Sequence, residues 1–476
     1  MKKDTPKDAL KDIVADAKAI KTDGLKIDTP KTDLKAGSKM PGPNPTKPVT
    51  KKQEQPGMNI IAALDIGSSK VVCFIAEIKA HGTIEVIGIG HQASRGVKSG
   101  TIIDLKAAET AVAHAVEAAE TMAKDRLQGQ PIRAVFVNVP GSQTLSHRLG
   151  INVKISGHEV SERDIRNALG QSRNIVVPGR DELIHIIASG YAIDKQRGIQ
   201  EPRGMAGQNL EVTISPVTAL SSATRNISTV VHQNHLEIEG YCASPYAAGL
   251  AALVEDEKDL GCTVIDMGGG TTNIGVFLEG KLIYTSAIPV GGHHVTNDIA
   301  RGLVTSLSDA ERIKTLYGSA HATGMDDGAT IDVPPVGEEE HSQPNYVAKS
   351  LLVGIIQPRI EETFELVRAK LIDSGIDKMA GRRVVLTGGA SQLPGLCDIG
   401  QLILDRQIRL GRPHKIKGLA ESTSGPAFSA CAGLLHYAAE HAEEIPKAAP
   451  NYAFQLPINF NGNLLQKVTT WLKENW

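Results

Sequence analysis

The chain has 476 residues, 41% hydrophobic and 22% charged, with a formal net charge of −2. The length accommodates two or more domains, and the composition is that of a globular protein. The balanced charge excludes a global basic field for nucleic acid, and five scattered cysteines without a C-x-x-C exclude a disulfide framework or zinc site and fit a reducing cytoplasm.

Residues 1–57 are rich in Lys, Asp, Thr and Pro and lack aromatic residues, which predicts a disordered charged arm. It holds a short imperfect repeat, "DTPKDALK" (4–11) and "DTPKTDLK" (28–35), and no apolar h-region, so no signal peptide is expected. Apolar stretches such as "YAAGLAALV" (246–254) are half the length of a membrane span, so any membrane role is peripheral. From Asn59, "NIIAALDIGSS", "KVVCFIAEI" and "GTIEVIGIGH" read as three strands. A helix from Asp104 follows, with Leu105, Ala108, Val112, Ala115, Val116 and Ala119 on one face. The pattern returns in "CTVIDMGGGT", "TNIGVFLEG" and "KLIYTSAIPVGG", followed by a helix around "VTNDIARGL". Two β-β-β-α units predict two related lobes.

Between the units, "IRAVFVNVP", "ELIHIIASGYAI" and "GMAGQNLEVTISPVTAL" read as strands, and 161–173 as an amphipathic helix. "TRNISTVVHQNHL" and "ASPYAAGLAALVEDEKDLG" read as helices. Further on, 321–344 is polar, Gly/Pro-rich and expected to be exposed. "YVAKSLLVGIIQPRIEETFELVRAKLIDSG" is a long helix, with Pro358 expected to kink or restart it. "RRVVLTGGASQLPGL" reads as strand, glycine turn and helix, and "GPAFSACAGLLHYAAEHAEE" as a small-residue helix.

Chemistry concentrates in the turns. "LDIGSSK" (64–70) and "IDMGGGTTN" (265–273) share apolar-Asp-apolar-Gly. Their glycines let backbone N–H groups approach an anion. Ser68, Ser69, Thr271 and Thr272 add hydroxyls, and Lys70 adds a charge. Asp65 and Asp266 end their strands, and two carboxylates facing across phosphates can hold Mg²⁺ through water. In "LTGGASQLPG" (386–395), Gly388 and Gly389 let a base or ribose lie against backbone, with a helix N-terminus expected just after. "AERIK" places Glu311 and Lys314 three apart, the spacing of a solvated salt bridge. His293 and His294 are adjacent and read as surface or structural residues, not metal ligands. The absence of G-x-x-x-x-G-K-[ST] excludes a P-loop NTPase, and no residue stands out as a general base.

The three turns together resemble the phosphate-1, phosphate-2 and adenosine motifs of the superfamily that joins actin, heat-shock chaperones and sugar kinases. "GHQASRGVKSGTIIDL" (90–105), "HIIASGYAIDKQRGIQEPRGMAGQNLEV" (185–212), "SPYAAGLAAL" (244–253), "PVGGHHVTNDIA" (289–300), "SDAERIKTLYG" (308–318) and "GLLHYA" (433–438) are similar to the FtsA family, actin-like division proteins that tether the FtsZ ring to the membrane. The resemblance runs from about 59 to 440, with the C-terminal helix in addition. It implies an α/β, actin-like two-lobed ATPase fold. Residues 58–131, 212–260 and 411–442 would form the first lobe, and 132–211 an inserted FtsA-type subdomain. Residues 261–410 would form the second lobe, with its upper part near 295–350. It also implies nucleotide contacts at Gly67, Ser68, Ser69 and Lys70, at Asp266, Gly268, Gly269, Gly270, Thr271 and Thr272, at Gly292, at Glu311 and Lys314, and at Gly388, Gly389 and Ala390. Thus "AERIK" becomes a ribose or base contact. Asp65 is counted with these, and Asp65 and Asp266 are the Mg²⁺ side.

Within the family, the upper second lobe takes the FtsZ C-terminal tail. Members often carry a basic "GGRPPR"-type run there; this chain has "VPPVGEEEHSQP", with Glu338, Glu339 and Glu340 in place of positive charge.

After a linker at 443–462, the last stretch is "NLLQKVTTWLKENW", which contains both tryptophans of the chain. On a helix, Leu464, Leu465, Val468, Trp471, Leu472 and Trp476 fall within an arc of about 140°. Docking on the body's own core is the competing arrangement; the prolines of the linker argue against it, and Trp beside Lys suits a membrane interface. Half-burying those side chains gives roughly 5–8 kcal/mol before the cost of ordering a short helix. One copy then binds weakly, and several on one filament bind tightly. The expected protein binds ATP·Mg²⁺ with at most a weak or regulatory ATPase activity. It polymerises on the cytoplasmic face of the bacterial inner membrane at the division site, holds FtsZ there, and recruits other division proteins. The alternatives are an actin-like adaptor of another membrane machine, such as pilus assembly, or a small-molecule kinase of the same fold. A chaperone is disfavoured because too little chain follows 440 for a peptide-binding domain.

Overall fold

The computed structural model describes residues 59–176 (side chains as far as 171), 181–321, 328–337, 345–441 and 444. The predicted arm 1–57, Glu338–Glu340, the linker beyond 444 and the helix over 463–476 lie outside the described residues.

Two sheets repeat one topology. In the first, strands Ile60–Ile66, Lys70–Ile78 and Ile84–Ala93 form an antiparallel meander. Ala134–Val139 and then Glu237–Ala243 add in parallel on the side of the first strand. In the second, Cys262–Met267, Thr272–Leu278 and Lys281–Ile288 form the meander, and Arg383–Thr387 and Gln407–Leu410 add in parallel. Strands such as "AVFVNV" and "CTVIDM" are nearly or wholly buried, as parallel strands covered on both faces must be. This duplicated sheet, with a separate subdomain inserted in the first half, is the actin-like two-lobed arrangement. Each lobe has its own apolar core.

Helix Leu105–Ala123 is capped by Asp104, whose Oδ1 accepts from the Ala107 N–H at 3.0 Å. It buries Ala108, Val112, Ala115, Val116 and Ala119 on the first sheet. Leu105, assigned to that face by spacing, is exposed at the first turn. Helix Lys349–Asp373 continues through Pro358 as one element, so the proline does not restart it. Proline there forgoes one backbone bond, to the carbonyl four residues earlier, and buried Leu352, Ile356, Ile360 and Phe364 hold the helix on either side. The first three residues of the predicted helix, Tyr346–Ala348, instead belong to strand Asn345–Ala348, which pairs with Thr330–Val333. Strands Glu237–Ala243 and Gln407–Leu410 have no counterpart in the sequence reading. The first is interrupted by a register shift at Gly240, and the second is four residues long.

The inserted subdomain is a five-stranded sheet with helix Glu162–Val176 packed on it. Its two long strands, Asp181–Ile193 and Asn209–Leu220, are shared between cores. Ile186, Ile193, Leu210, Val212 and Ile214 face the subdomain's own core, whereas Ile184, Ile187, Val217 and Ala219 join that of the first lobe. His185 locks this junction. It is fully buried; its Nε2 accepts from the Ala243 N–H at 3.0 Å, so the proton sits on Nδ1 and is donated to the Tyr437 hydroxyl at 3.0 Å. The rings of Tyr246 and Tyr437 stand edge-on to it at 5.3 and 5.1 Å.

Candidate functional site: a cavity between the lobes

A cavity of about 480 Å³ opens between the two sheets, within the range of about 300–1,000 Å³ usual for cofactor sites. Its walls are the three glycine turns. The first two share one bonding pattern: the Gly67 N–H donates to the Lys70 carbonyl at 3.0 Å, and the Gly268 N–H to the Thr271 carbonyl at 2.9 Å. Each leaves a two-residue tip, Ser68–Ser69 and Gly269–Gly270.

Helix Gly292–Leu303 sets the orientation of the second tip. Its Gly292 and His293 N–H groups donate to the carbonyls of Gly268 and Gly269 at 3.0 and 2.8 Å. In a trans peptide the next N–H points opposite the carbonyl, so those of Gly269 and Gly270 turn away from the helix. Every residue from Asp266 to Thr271 lines the cavity. The approach requires glycine at 291, where a Cβ would lie 2.6 Å from the Gly268 carbonyl oxygen. In the first tip, Ser68 Oγ accepts from the Gly100 N–H at 2.9 Å, which leaves its own proton to donate. Lys70 Nζ rests 3.3 Å over the Phe428 ring.

Asp65 and Asp266 end their strands at the cavity. Burial pushes both carboxyls above the usual range; Asp266 raises Asp65 further, opposed by Lys70, and a bond from Asn273 Nδ2 at 2.9 Å opposes the shift at Asp266. Two carboxyls held in this way favour a cation between them. No group of three or more His, Cys, Asp or Glu able to hold a metal occurs among the described residues. The donor set therefore fits a hydrated Mg²⁺ completed by phosphate oxygens rather than a protein-enclosed ion.

The third turn departs from expectation. Gly388, at φ +86°, admits no side chain, since a Cβ would meet Asp266 Oδ1 and the Met267 carbonyl oxygen at 2.5 Å each. Beyond it lies only a 3₁₀ turn, Gly389–Gln392; the α-helix begins at Leu396. Pro394 lacks an N–H, and Gly395 takes φ +77°, so no α-helix N-terminus opens at Gly389. At the far end, Lys314 Nζ donates to Glu311 Oε2 at 2.7 Å, to Thr296 Oγ1 at 2.9 Å and to the Gly292 carbonyl at 3.3 Å. The expected i,i+3 pair forms, but as cavity wall: the lysine side chain is only 16% exposed. Burial raises the Glu311 carboxyl, and the bonds from Lys314 and Thr296 outweigh that and lower it.

Asp65, Gly67, Ser68, Ser69, Lys70, Asp266, Gly268, Gly269, Gly270, Thr271, Gly292, Glu311, Lys314, Gly388, Gly389 and Ala390 all line this one cavity. Thr272 does not. It is fully buried and its hydroxyl donates to the Val290 carbonyl at 2.8 Å; the next residue of strand Thr272–Leu278, Asn273, faces the opposite side of the sheet and lines the cavity. The sequence reading missed Asn138, Asn273 and His293. Asn138 Oδ1 accepts from the Ile66 N–H at 2.7 Å, and Asn273 Oδ1 from the Gly141 N–H at 3.1 Å, which ties the second lobe to the turn just after strand Ala134–Val139. A buried asparagine near the end of the apolar run "AVFVNV" was the available signal. The adjacent histidines divide their work: His294 Nδ1 accepts from the Gly291 N–H at 3.1 Å, whereas His293 lines the cavity.

A family model described as cell division protein FtsA matches residues 263–433, and one described as the SHS2 domain inserted in FtsA matches 141–218. The cell division protein FtsA of Agrobacterium fabrum is 43% identical over 441 residues, covering 90% of this chain and 97% of that protein. That of Pseudomonas aeruginosa is 34% identical over 420 residues (88% and 98%), and that of Escherichia coli 32% over 389 (80% and 90%). A solved structure described as the PilM-PilN type IV pilus biogenesis complex is similar with a TM-score of 0.56 at 16% identity, covering 80% of this chain and 98% of that one. That likeness shows a shared fold alone. With relatives aligned over most of its length and an insert that matches the family's own, the chain belongs to the FtsA family of cell division proteins.

Proposed function

We propose that the chain is an ATP·Mg²⁺-binding cytoskeletal adaptor of cell division. It assembles with copies of itself on the cytoplasmic face of the inner membrane, is anchored there by 463–476, holds the FtsZ C-terminal tail, and recruits further division proteins. The observation that carries the nucleotide reading is the convergence of three glycine turns and two raised carboxyls on one cavity. The tips Ser68–Ser69 and Gly269–Gly270 hold the phosphates. Glu311 and Lys314 hold the ribose or base, Gly388–Ala390 back the adenosine, and Asp65 and Asp266 hold Mg²⁺ through water. The bound metal supplies charge neutralisation between the phosphates and the two carboxylates.

For the FtsZ tail, the stretch 295–350 exposes Val304, Leu307, Val336 and Tyr346, apolar side chains suited to a peptide. Membrane attachment rests on the amphipathic pattern of 463–476; no helix of the described residues is long and apolar enough to cross a membrane. The test measures binding of ATP·Mg²⁺, of an FtsZ C-terminal peptide and of anionic vesicles, with and without 463–476. Tail-independent nucleotide and peptide binding with tail-dependent vesicle binding is the expected result. No peptide binding, together with ATP-dependent phosphorylation of a metabolite, would overturn it in favour of a kinase.

A further inference from the structure

The two phosphate turns meet at one point, and His293 stands there. A Cβ placed on Gly269 would lie 2.9 Å from Ser69 Cβ of the first lobe and 3.1 Å from both Cε1 and Nε2 of His293. The imidazole edge therefore covers the glycine tip of the second lobe just where the serine tip of the first approaches it. The backbone fixes this position, because the His293 N–H is bonded to the Gly269 carbonyl at 2.8 Å and the residue sits in the first turn of helix Gly292–Leu303. Its ring is exposed to the cavity and has no hydrogen-bond partner among the described residues. The neighbouring His294 has its Nδ1 bonded to Gly291, and Lys314 is tied to Glu311 and Thr296. A free imidazole beside a tip whose backbone N–H groups already turn outward is a donor aimed at the same anion. A glycine or alanine at 293 would remove this side-chain donor and leave the backbone N–H groups of the tip without it.

We propose that His293 is a further phosphate-contacting residue: its ring N–H donates to a phosphate oxygen of the nucleotide at the junction of the two turns, and thereby joins nucleotide occupancy to the approach of Ser69. This rests on the nucleotide reading above and adds a residue to it. A ring N–H to an ionised phosphate is a charge-assisted bond, and its loss corresponds to about a tenfold change in affinity.

The test uses the full chain and its His293→Ala and His293→Gln variants at about pH 8, where the imidazole is neutral. Calorimetry measures Kd for ATP·Mg²⁺ and for adenosine, and the melting temperature of each variant checks folding. The expected result is about tenfold weaker ATP·Mg²⁺ binding by His293→Ala, recovery to within about threefold by His293→Gln, whose amide also donates, and unchanged adenosine binding. Wild-type affinity for ATP·Mg²⁺ in His293→Ala overturns the role of His293 and leaves the nucleotide reading standing. An equal loss for adenosine, or a loss matched by a fall in melting temperature and not recovered by glutamine, also overturns it, as the signature of a merely structural side chain. A wild-type chain that binds neither ligand overturns the nucleotide reading itself.

Discussion

His185 makes the joint between the inserted subdomain and the first lobe sensitive to acid. Burial lowers its pKa from 6.5 to about 3, with His441 adding repulsion. The sign follows from linkage. Above pH 6.5 the ring is neutral in both folded and unfolded chains, and its stabilising bonds to Ala243 and Tyr437 are fully present. As pH falls, the unfolded chain takes up a proton that the folded ring refuses, and stability is lost between 6.5 and about 3. At about pH 5 the proton-uptake difference is close to one, and the integrated loss from about pH 7.5 is about 2 kcal/mol. His185→Gln keeps a donor and an acceptor but cannot titrate. Urea unfolding followed by far-ultraviolet circular dichroism, for both proteins at both pH values, isolates the residue. The wild type should lose about 2 kcal/mol more than the variant on acidification. Parallel losses in the two proteins would show that this imidazole is not held neutral in the folded state, and would refute the argument.

Asp65→Asn should act in opposite directions on stability and binding. Both carboxyls are raised by burial, and Asp65 also by Asp266, so removing one charge should stabilise the free protein above the carboxylate range while weakening Mg²⁺-dependent ATP binding; urea midpoints and Mg²⁺ titrations read the two effects. Gly388→Ala places a Cβ 2.5 Å from Asp266 Oδ1 at a φ of +86°. It should cost about 2 kcal/mol or more in thermal unfolding and weaken nucleotide binding by at least about tenfold. Trp471→Glu should abolish sedimentation with anionic vesicles and leave the ATP affinity within about twofold, and a variant that still sediments would remove the tail from the anchoring scheme.

Much of the site was legible because its chemistry is local. Asp-apolar-Gly followed by small residues forms a tight turn whose tip residues line the cavity, so "LDIGSSK" and "IDMGGGTTN" announced themselves twice. The same short-range character made the two meanders and the helix after Asp104 readable, since strand alternation and helical spacing repeat within a few residues. The sequence alone also decided that no P-loop is present and that both tryptophans belong to the last stretch.

What only the tertiary structure decided are the long-range relations. That Asn273 faces the cavity while Thr272 holds Val290 depends on strand pleat and on the neighbour that each side meets. That Glu311 and Lys314 form a wall rather than a solvated pair depends on Thr296 and Gly292, which lie 15 or more residues earlier. Likewise, His293 and His294 are indistinguishable by composition and spacing. One caps Gly291 and the other faces the meeting point of two turns about 200 residues apart in the chain. A local pattern fixes which backbone can bend toward an anion. Packing of distant segments fixes which side chain is left free to meet it.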